Sequence, residues 1–207
     1  EPVLGIDINE TAVETYKRNL GSRFEKLKNL SAEDITKEKV KKEIIKKLKS
    51  EKVKLICGGF PCQGFSLSGS RVISDPRNTL YKDMLDIVNK VRPDFIIMEN
   101  VVGITTIYEG KVLKKIIRDY KKIGYEISWR EINAADFEVG QSRKRIIFIG
   151  NCVNKKNIFP KKIIDNPVNY VTCGEVIEKY KMMKEDISIN HIFSKHSEEM
   201  KARLLAV

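Results

Sequence analysis

The chain has 207 residues, 42% of them hydrophobic, and carries a formal charge of +11 with an isoelectric point near 9.4. That length can bury one sizeable core plus an appendage, and the apolar content excludes a disordered chain. No apolar run is long enough to span a bilayer and no secretory signal pattern opens the sequence, so a cytoplasmic location is the default expectation.

The positive charge suits a polyanionic partner. Lysine-rich helices are also ordinary solvated faces, so charge alone does not decide the matter. The four cysteines (Cys57, Cys62, Cys152, Cys173) form no Cys-x-x-Cys pair, and there are only two histidines, His191 and His196. The pattern argues against zinc and for reduced thiols.

In chain order, residues 3–8 read as a short strand with Asp7 near its end, followed by a helix over 11–19. Ala12, Tyr16 and Leu20 share one face of that helix, and Asn9 or Thr11 is its N-cap. An acid at such a strand tip can accept ribose hydroxyls, while a turn or capping role explains Asp7 equally well. A polar turn with Asp34 and Ile35 leads into a lysine-rich helix over 37–48, where Asp34 also has the position of a helix cap.

A strand over 53–57 then stops in Gly58-Gly59-Phe60-Pro61-Cys62-Gln63-Gly64-Phe65-Ser66. The two glycines permit unusual backbone angles and close ligand approach, and Pro61 stiffens the loop. Cys62 therefore stands at the carboxyl end of a strand, where open α/β sheets bind ligands. A thiolate there is a strong nucleophile; a small buried cysteine beside a tight turn is the plain alternative. The polar stretch over 66–78 is long enough to read as a functional loop, and a helix runs on to about 91.

Four apolar residues in a row mark a strand over 95–101 as buried on both faces, as in a parallel sheet. Its acid, Glu99, reads as unpaired and on the same rim as Cys62. A carboxyl kept protonated by burial can donate a proton, whereas an acid that merely caps the next loop is the alternative. An amphipathic helix over 111–123 ends at Gly124. Strands over 125–132 and 145–150 follow as the antiparallel end of the sheet. Gln141, Arg143 and Arg145 lie between and at the start of the second, where exposed edge charge is the plain reading. Beyond 151 the pattern loosens into an exposed connection over 154–169 and short helices within 171–184 and 197–205.

The string from Gly58 to Ser66 resembles the nucleophile loop of the DNA (cytosine-5)-methyltransferases. Glu99-Asn100-Val101, the Gln141-x-Arg143-x-Arg145 spacing, and Asp7 with Ala12, Tyr16 and Asn19 resemble other motifs of that family, in the family's order. The resemblance implies an α/β fold with a Rossmann-like, doubly wound, mostly parallel sheet. It implies S-adenosyl-L-methionine as cofactor and double-stranded DNA as partner. It assigns catalysis to Cys62, Glu99, Asn100, Arg143 and Arg145, and the cofactor's surroundings to Asp7, Ile8, Asp34, Ile35, Gly59, Pro61 and Leu80. Gln63, Ser66, Ser68, Arg77 and Gln141 are implied on the DNA side.

By the same resemblance, residues 1–152 are a catalytic core lacking its first strand, and 153–207 a connection and the beginning of a target-recognition region. The opening glycine-rich motif and the two closing motifs are not found, so these residues alone are expected to bind cofactor poorly. Glu138 stands where the family commonly has glycine, and Gly140 where it commonly has proline. The implied setting is restriction-modification, with an endonuclease as genetic partner. Two alternatives stay open: an RNA (tRNA) cytosine methyltransferase, whose Cys-Phe-Thr signature is not found, and a non-catalytic nucleic-acid-binding fragment.

Overall fold

The computed structural model describes residues 1–21, 23, 30–60, 80–178, 180, 182–187 and 196–205. Pro61, Cys62, Gln63, Ser66, Ser68 and Arg77, with the loop expected over 66–78, lie outside the described residues.

Strands β1 (Gly5–Asp7) and β2 (Leu30–Ala32) pair in parallel, with helix α1 (Glu10–Leu20) between them in sequence. Asn9 is the N-cap of α1, its Oδ1 accepting the Ala12 N–H at 3.1 Å. Helix α2 (Glu38–Ser50) turns Ile44 and Leu48 onto Ile87 of α3 (Tyr81–Val91), a cluster that also draws in Ile6, Ile35 and Ile56. The ammonium of Lys41, almost buried, reaches Asp83 at 3.1 Å and ties α2 to α3.

The second sheet has the order β3-β4-β6-β5, from β3 (Leu55–Gly58), β4 (Phe95–Val101), β5 (Glu126–Asn133) and β6 (Lys144–Asn151). β3 and β4 are parallel, joined through α3, and β6 runs antiparallel to both of its neighbours. The expected mostly parallel sheet is therefore mixed: among the described residues two pairings are parallel and two antiparallel. The stretch 134–143 between β5 and β6 is too short for a parallel crossover, which needs a dozen residues or more.

The core forms where two periodicities meet. Ile96 and Met98 of β4, with Ile146 and Phe148 of β6, point to one face. Met84 and Val88 of α3, with Leu113, Ile116 and Tyr120 of α4 (Lys111–Lys122), close over them. Each such side chain, fully buried, contributes about 1.5–3 kcal/mol. Gly124 follows α4 with φ of +82°, its N–H returning to the Lys121 carbonyl as the expected C-terminal glycine.

Burial of β4 on both faces is not what the structure has. Ile96 and Met98 are sealed, whereas Phe95 is 38% exposed and Ile97 only half-buried. The apolar run reflects one packed face and one partly open face. After β6 the short helices α5 (Cys173–Glu178) and α6 (Glu198–Leu205) contain no buried residue among those described, and Ile158, Val168 and Met182 are exposed. No helix among the described residues is long and apolar enough to cross a membrane.

Candidate active site

Gly59, Phe60, Glu99, Asn100, Val101, Arg143 and Arg145 line a cavity of about 240 Å³. It lies at the carboxyl ends of β3 and β4, where parallel neighbours part into their following loops. The ladder dictates who meets whom. Glu99 stands opposite Ile147 and Val101 opposite Arg145, so Glu99 and Arg145 are diagonal neighbours on one sheet face. The Arg145 Nε meets Glu99 Oε1 at 2.8 Å.

Glu99 is thus neither unpaired nor buried: its side chain is 45% exposed and its partner is Arg145. It also lies within β4, not at its end. An ion pair this open contributes about 0–1 kcal/mol to stability; its effect is to fix where the carboxylate points.

Asn100 alternates to the opposite face and is 2% exposed. Its Nδ2 donates to the Phe60 carbonyl at 3.2 Å, and its Oδ1 accepts the Val101 N–H at 2.8 Å. The side chain therefore pins the backbone two residues before Cys62. Gly58 was expected to supply unusual backbone angles, but the left-handed glycines among the described residues are Gly110 and Gly124. A Cβ on Gly58 would lie 2.7 Å from the Met84 sulfur, so close packing of α3 explains that glycine. A Cβ on Gly59 would approach Glu99 Oε2 at an ordinary 3.5 Å.

Arg143 is placed by side chains more than by a ladder. The Asn133 Oδ1 accepts the N–H groups of Ala135 (3.3 Å) and Arg143 (3.0 Å), and the Ala134 N–H donates to the Arg143 carbonyl at 2.9 Å. Glu138 takes φ of +64°, the left-handed conformation that glycine adopts freely. A Cβ on Gly140 would already come within 2.5 Å of Val176 Cγ2 and 3.0 Å of the Thr172 carbonyl. Gln141 is exposed, its N–H donating to the Val139 carbonyl at 2.7 Å, and it is not part of the cavity wall.

Of the remaining described candidates, Asp7, Ile8, Asp34 and Ile35 form a second group at or just past the ends of β1 and β2, and Leu80 lies at the start of α3. Asp7 Oδ1 accepts the Asn9 N–H at 2.8 Å, and the Asp7 carbonyl accepts the Glu33 N–H at 2.9 Å, which brings the 33–36 turn alongside. Asp34 Oδ1 accepts from the Thr36 hydroxyl (2.7 Å) and N–H (2.9 Å), and these bonds hold its carboxyl below the usual carboxylate range. It closes a turn and does not cap α2, whose N-cap position is Lys37. Ile8 is 72% exposed, Ile35 packs against the Ile44–Leu48 cluster, and Leu80 occupies the N-cap position of α3. Two acids and exposed apolar surface fit the hydroxyls, amine and ring of an adenosine. This second group shares no residue with the cavity wall.

The sequence did not single out Phe60 and Val101 as cavity wall, nor Asn133 as the support of Arg143. The one signal for Asn133 was an asparagine immediately before a short turn.

A family model described as C-5 cytosine-specific DNA methylase matches residues 1–205. Type II methyltransferase M1.HphI of Haemophilus parahaemolyticus is 34% identical over 152 residues, which is 70% of this chain and 40% of that protein. Type II methyltransferase M.BspRI of Lysinibacillus sphaericus is 35% identical over 176 residues, 83% of this chain and 38% of its own length. Among solved structures, a DNA modification methyltransferase encoded within an E. coli prophage aligns with a TM-score of 0.65 at 26% identity, over 86% of this chain and 48% of that one. The chain spans about two fifths of the length of these two curated relatives.

Proposed function

We propose a function from one premise: the chain belongs to the C-5 cytosine-specific DNA methylase family. The protein methylates C5 of cytosine at a specific site in duplex DNA, through a covalent bond from Cys62 to C6 of a base turned out of the helix. The observation that carries this reading is the cavity itself. There a carboxylate on β4 and the two arginines meet Gly59 and Phe60, which lead directly to Cys62.

Cytosine C5 is a weak nucleophile. Attack of the Cys62 thiolate on C6 forms an S–C6 bond and moves ring electrons toward N3, leaving C5 enamine-like. For this step Glu99 carries a proton: its O–H donates to N3, where negative charge develops, and its second oxygen accepts from the exocyclic amine. Arg145 aims that carboxyl, Arg143 and Arg145 supply positive potential, and Asn100 steadies the thiol's loop through the Phe60 carbonyl. S-Adenosylmethionine, when bound, supplies an electrophilic methyl group to C5. A base then takes the C5 proton, that electron pair restores the C5–C6 double bond, and the Cys62 sulfur departs. Because C6 is inaccessible in a stacked duplex, the base must first be extruded.

Asp7 and Asp34 would take the ribose hydroxyls and adenine amine, with Ile8, Ile35, Leu80, Gly59 and Pro61 around them. Gln63, Ser66, Ser68, Arg77 and Gln141 would face the DNA. Residues 1–152 form the catalytic core of a Rossmann-like, doubly wound sheet that is one strand short, and 153–207 lead into target recognition. Support for the missing strand comes from the edges. Among the described residues β1 pairs only with β2 and β3 only with β4, yet Ile6 and Ile56 share one apolar cluster. The setting is a cytoplasmic restriction-modification system, with an endonuclease as genetic partner.

Duplex DNA carrying 5-fluorocytosine tests the mechanism, because fluorine cannot leave C5 as a cation. The whole protein with S-adenosylmethionine should form a denaturation-resistant adduct. Cys62→Ser should bind the duplex and form none. An adduct in Cys62→Ser, or none in the native protein, overturns the covalent route.

A further inference from the structure

The connection that carries Arg143 is itself held by the chain that follows β6. Asp136 sits in a single turn of 3-10 helix, Ala134–Phe137, between the two sheet strands. Its side chain is only 6% exposed, although it is ionisable. The carboxylate accepts the Tyr170 hydroxyl and pairs with the Lys162 ammonium at 3.1 Å. Its backbone carbonyl accepts the N–H groups of Ile163 (2.9 Å) and Ile164 (3.0 Å). Four contacts from residues 162–170 thus converge on one residue. Just beyond that segment, Thr172 and Val176 lie so near Gly140 that a Cβ there would clash with them.

Taking a charge out of water is unfavourable unless partners compensate it. Here the compensation comes chiefly from the following segment, first the Tyr170 hydroxyl and then Lys162, with a smaller contribution from Lys144 of β6, and these hold the Asp136 carboxyl below the usual carboxylate range. On the other side of the same turn, Asn133 grips the Arg143 N–H, and β6 begins at Lys144. A displacement of residues 162–170 would therefore reach Arg143 through the 134–143 connection.

We propose that Asp136 is a positioning residue: it locks the connection that presents Arg143 and leads into β6 ahead of Arg145, which the ladder itself holds, and makes the placement of Arg143 depend on the docking of residues 162–176. The proposal rests on the reading that Arg143 helps to hold the target base. Asp136 touches neither the base nor the cavity wall; it acts through the loop.

Amide hydrogen exchange and kinetics on the whole protein test it, using Asp136→Asn and Tyr170→Phe. Tyr170→Phe removes one hydroxyl, so a folded variant remains even if Asp136→Asn does not fold. Exchange over 134–146 should rise by roughly tenfold while β3 and β4 are unchanged. The kcat should fall by about tenfold or more at an unchanged KM for S-adenosylmethionine, because misplaced groups cost turnover more than cofactor binding. The double variant should be no worse than the poorer single one. Unaltered exchange over 134–146 in both variants, or full kcat despite a lower melting temperature, overturns the proposal. Arg143→Ala tests the underlying reading separately: full activity there removes Arg143 from catalysis, whatever exchange shows for Asp136.

Discussion

The floor and the rim of the cavity are built by different means. Glu99 and Asn100 belong to β4, where β3 pairs no further than Met98 but β6 pairs with both through Ile147 and Ile146, so the β6 ladder fixes their directions. Arg143 precedes β6 and depends on the side chain of Asn133 and on Glu138 in a left-handed conformation. On the proposed reading, Glu99, which must keep one direction, sits on the ladder, and Arg143, which would hold a base once it has entered, sits on a connection. The contrast predicts its largest effect at the floor. Glu99→Gln should slow single-turnover methylation by about 10²–10³-fold, the scale of losing one charge-stabilising group. Stability should change by no more than about 1 kcal/mol, since the ion pair is half open. A rate within about threefold of the native one would end the assignment of Glu99.

A smaller effect separates floor from rim by stability. Asn100→Ala removes a side chain that is 2% exposed and bonded to the Phe60 carbonyl, and should cost about 1–3 kcal/mol in urea unfolding. Asn133→Ala removes a half-exposed cap and should cost about 0.5–2 kcal/mol. If the rim variant proves the costlier, the ladder is not what distinguishes the two sides.

What the sequence made legible was local and periodic. The strand at 95–101 is legible from an apolar run and the helix ending before Gly124 from helical spacing and one glycine, and the last two strands pair antiparallel as expected. Family motifs pointed to Glu99, Asn100, Arg143 and Arg145 for catalysis and to Gly59 for the cofactor's surroundings, and all five line the cavity. Register escaped. That Glu99 meets Arg145 depends on Val101 lying opposite Arg145, and a slip of one residue would turn the arginine to the other face. Gly58 escaped because its reason, the sulfur of Met84, lies on a helix whose docking has no mark in the strand. Asp136 escaped because Lys162 and Tyr170 lie in a stretch without periodicity. Asp34 resembled a cap because a turn closed by Thr36 and a helix start look alike in sequence.

The smallest predicted effect bears most directly on the rim. Glu138 is exposed and adopts φ of +64°, a conformation that disfavours a Cβ by about 1–2 kcal/mol. Glycine there would remove the strain but add about 0.4–1 kcal/mol of unfolded-state freedom. Glu138→Gly should therefore raise stability by about 0.5–1 kcal/mol, read as a higher urea midpoint at an unchanged slope. The substitution leaves Asn133, Asp136 and the arginines in place, so it alters only how freely the connection can bend. If kcat is also unchanged, the side-chain contacts alone hold the rim. If stability rises while kcat falls, the strain at Glu138 itself helps to keep the arginines in place, and the rim is stiffer by construction than its position on a connection implies.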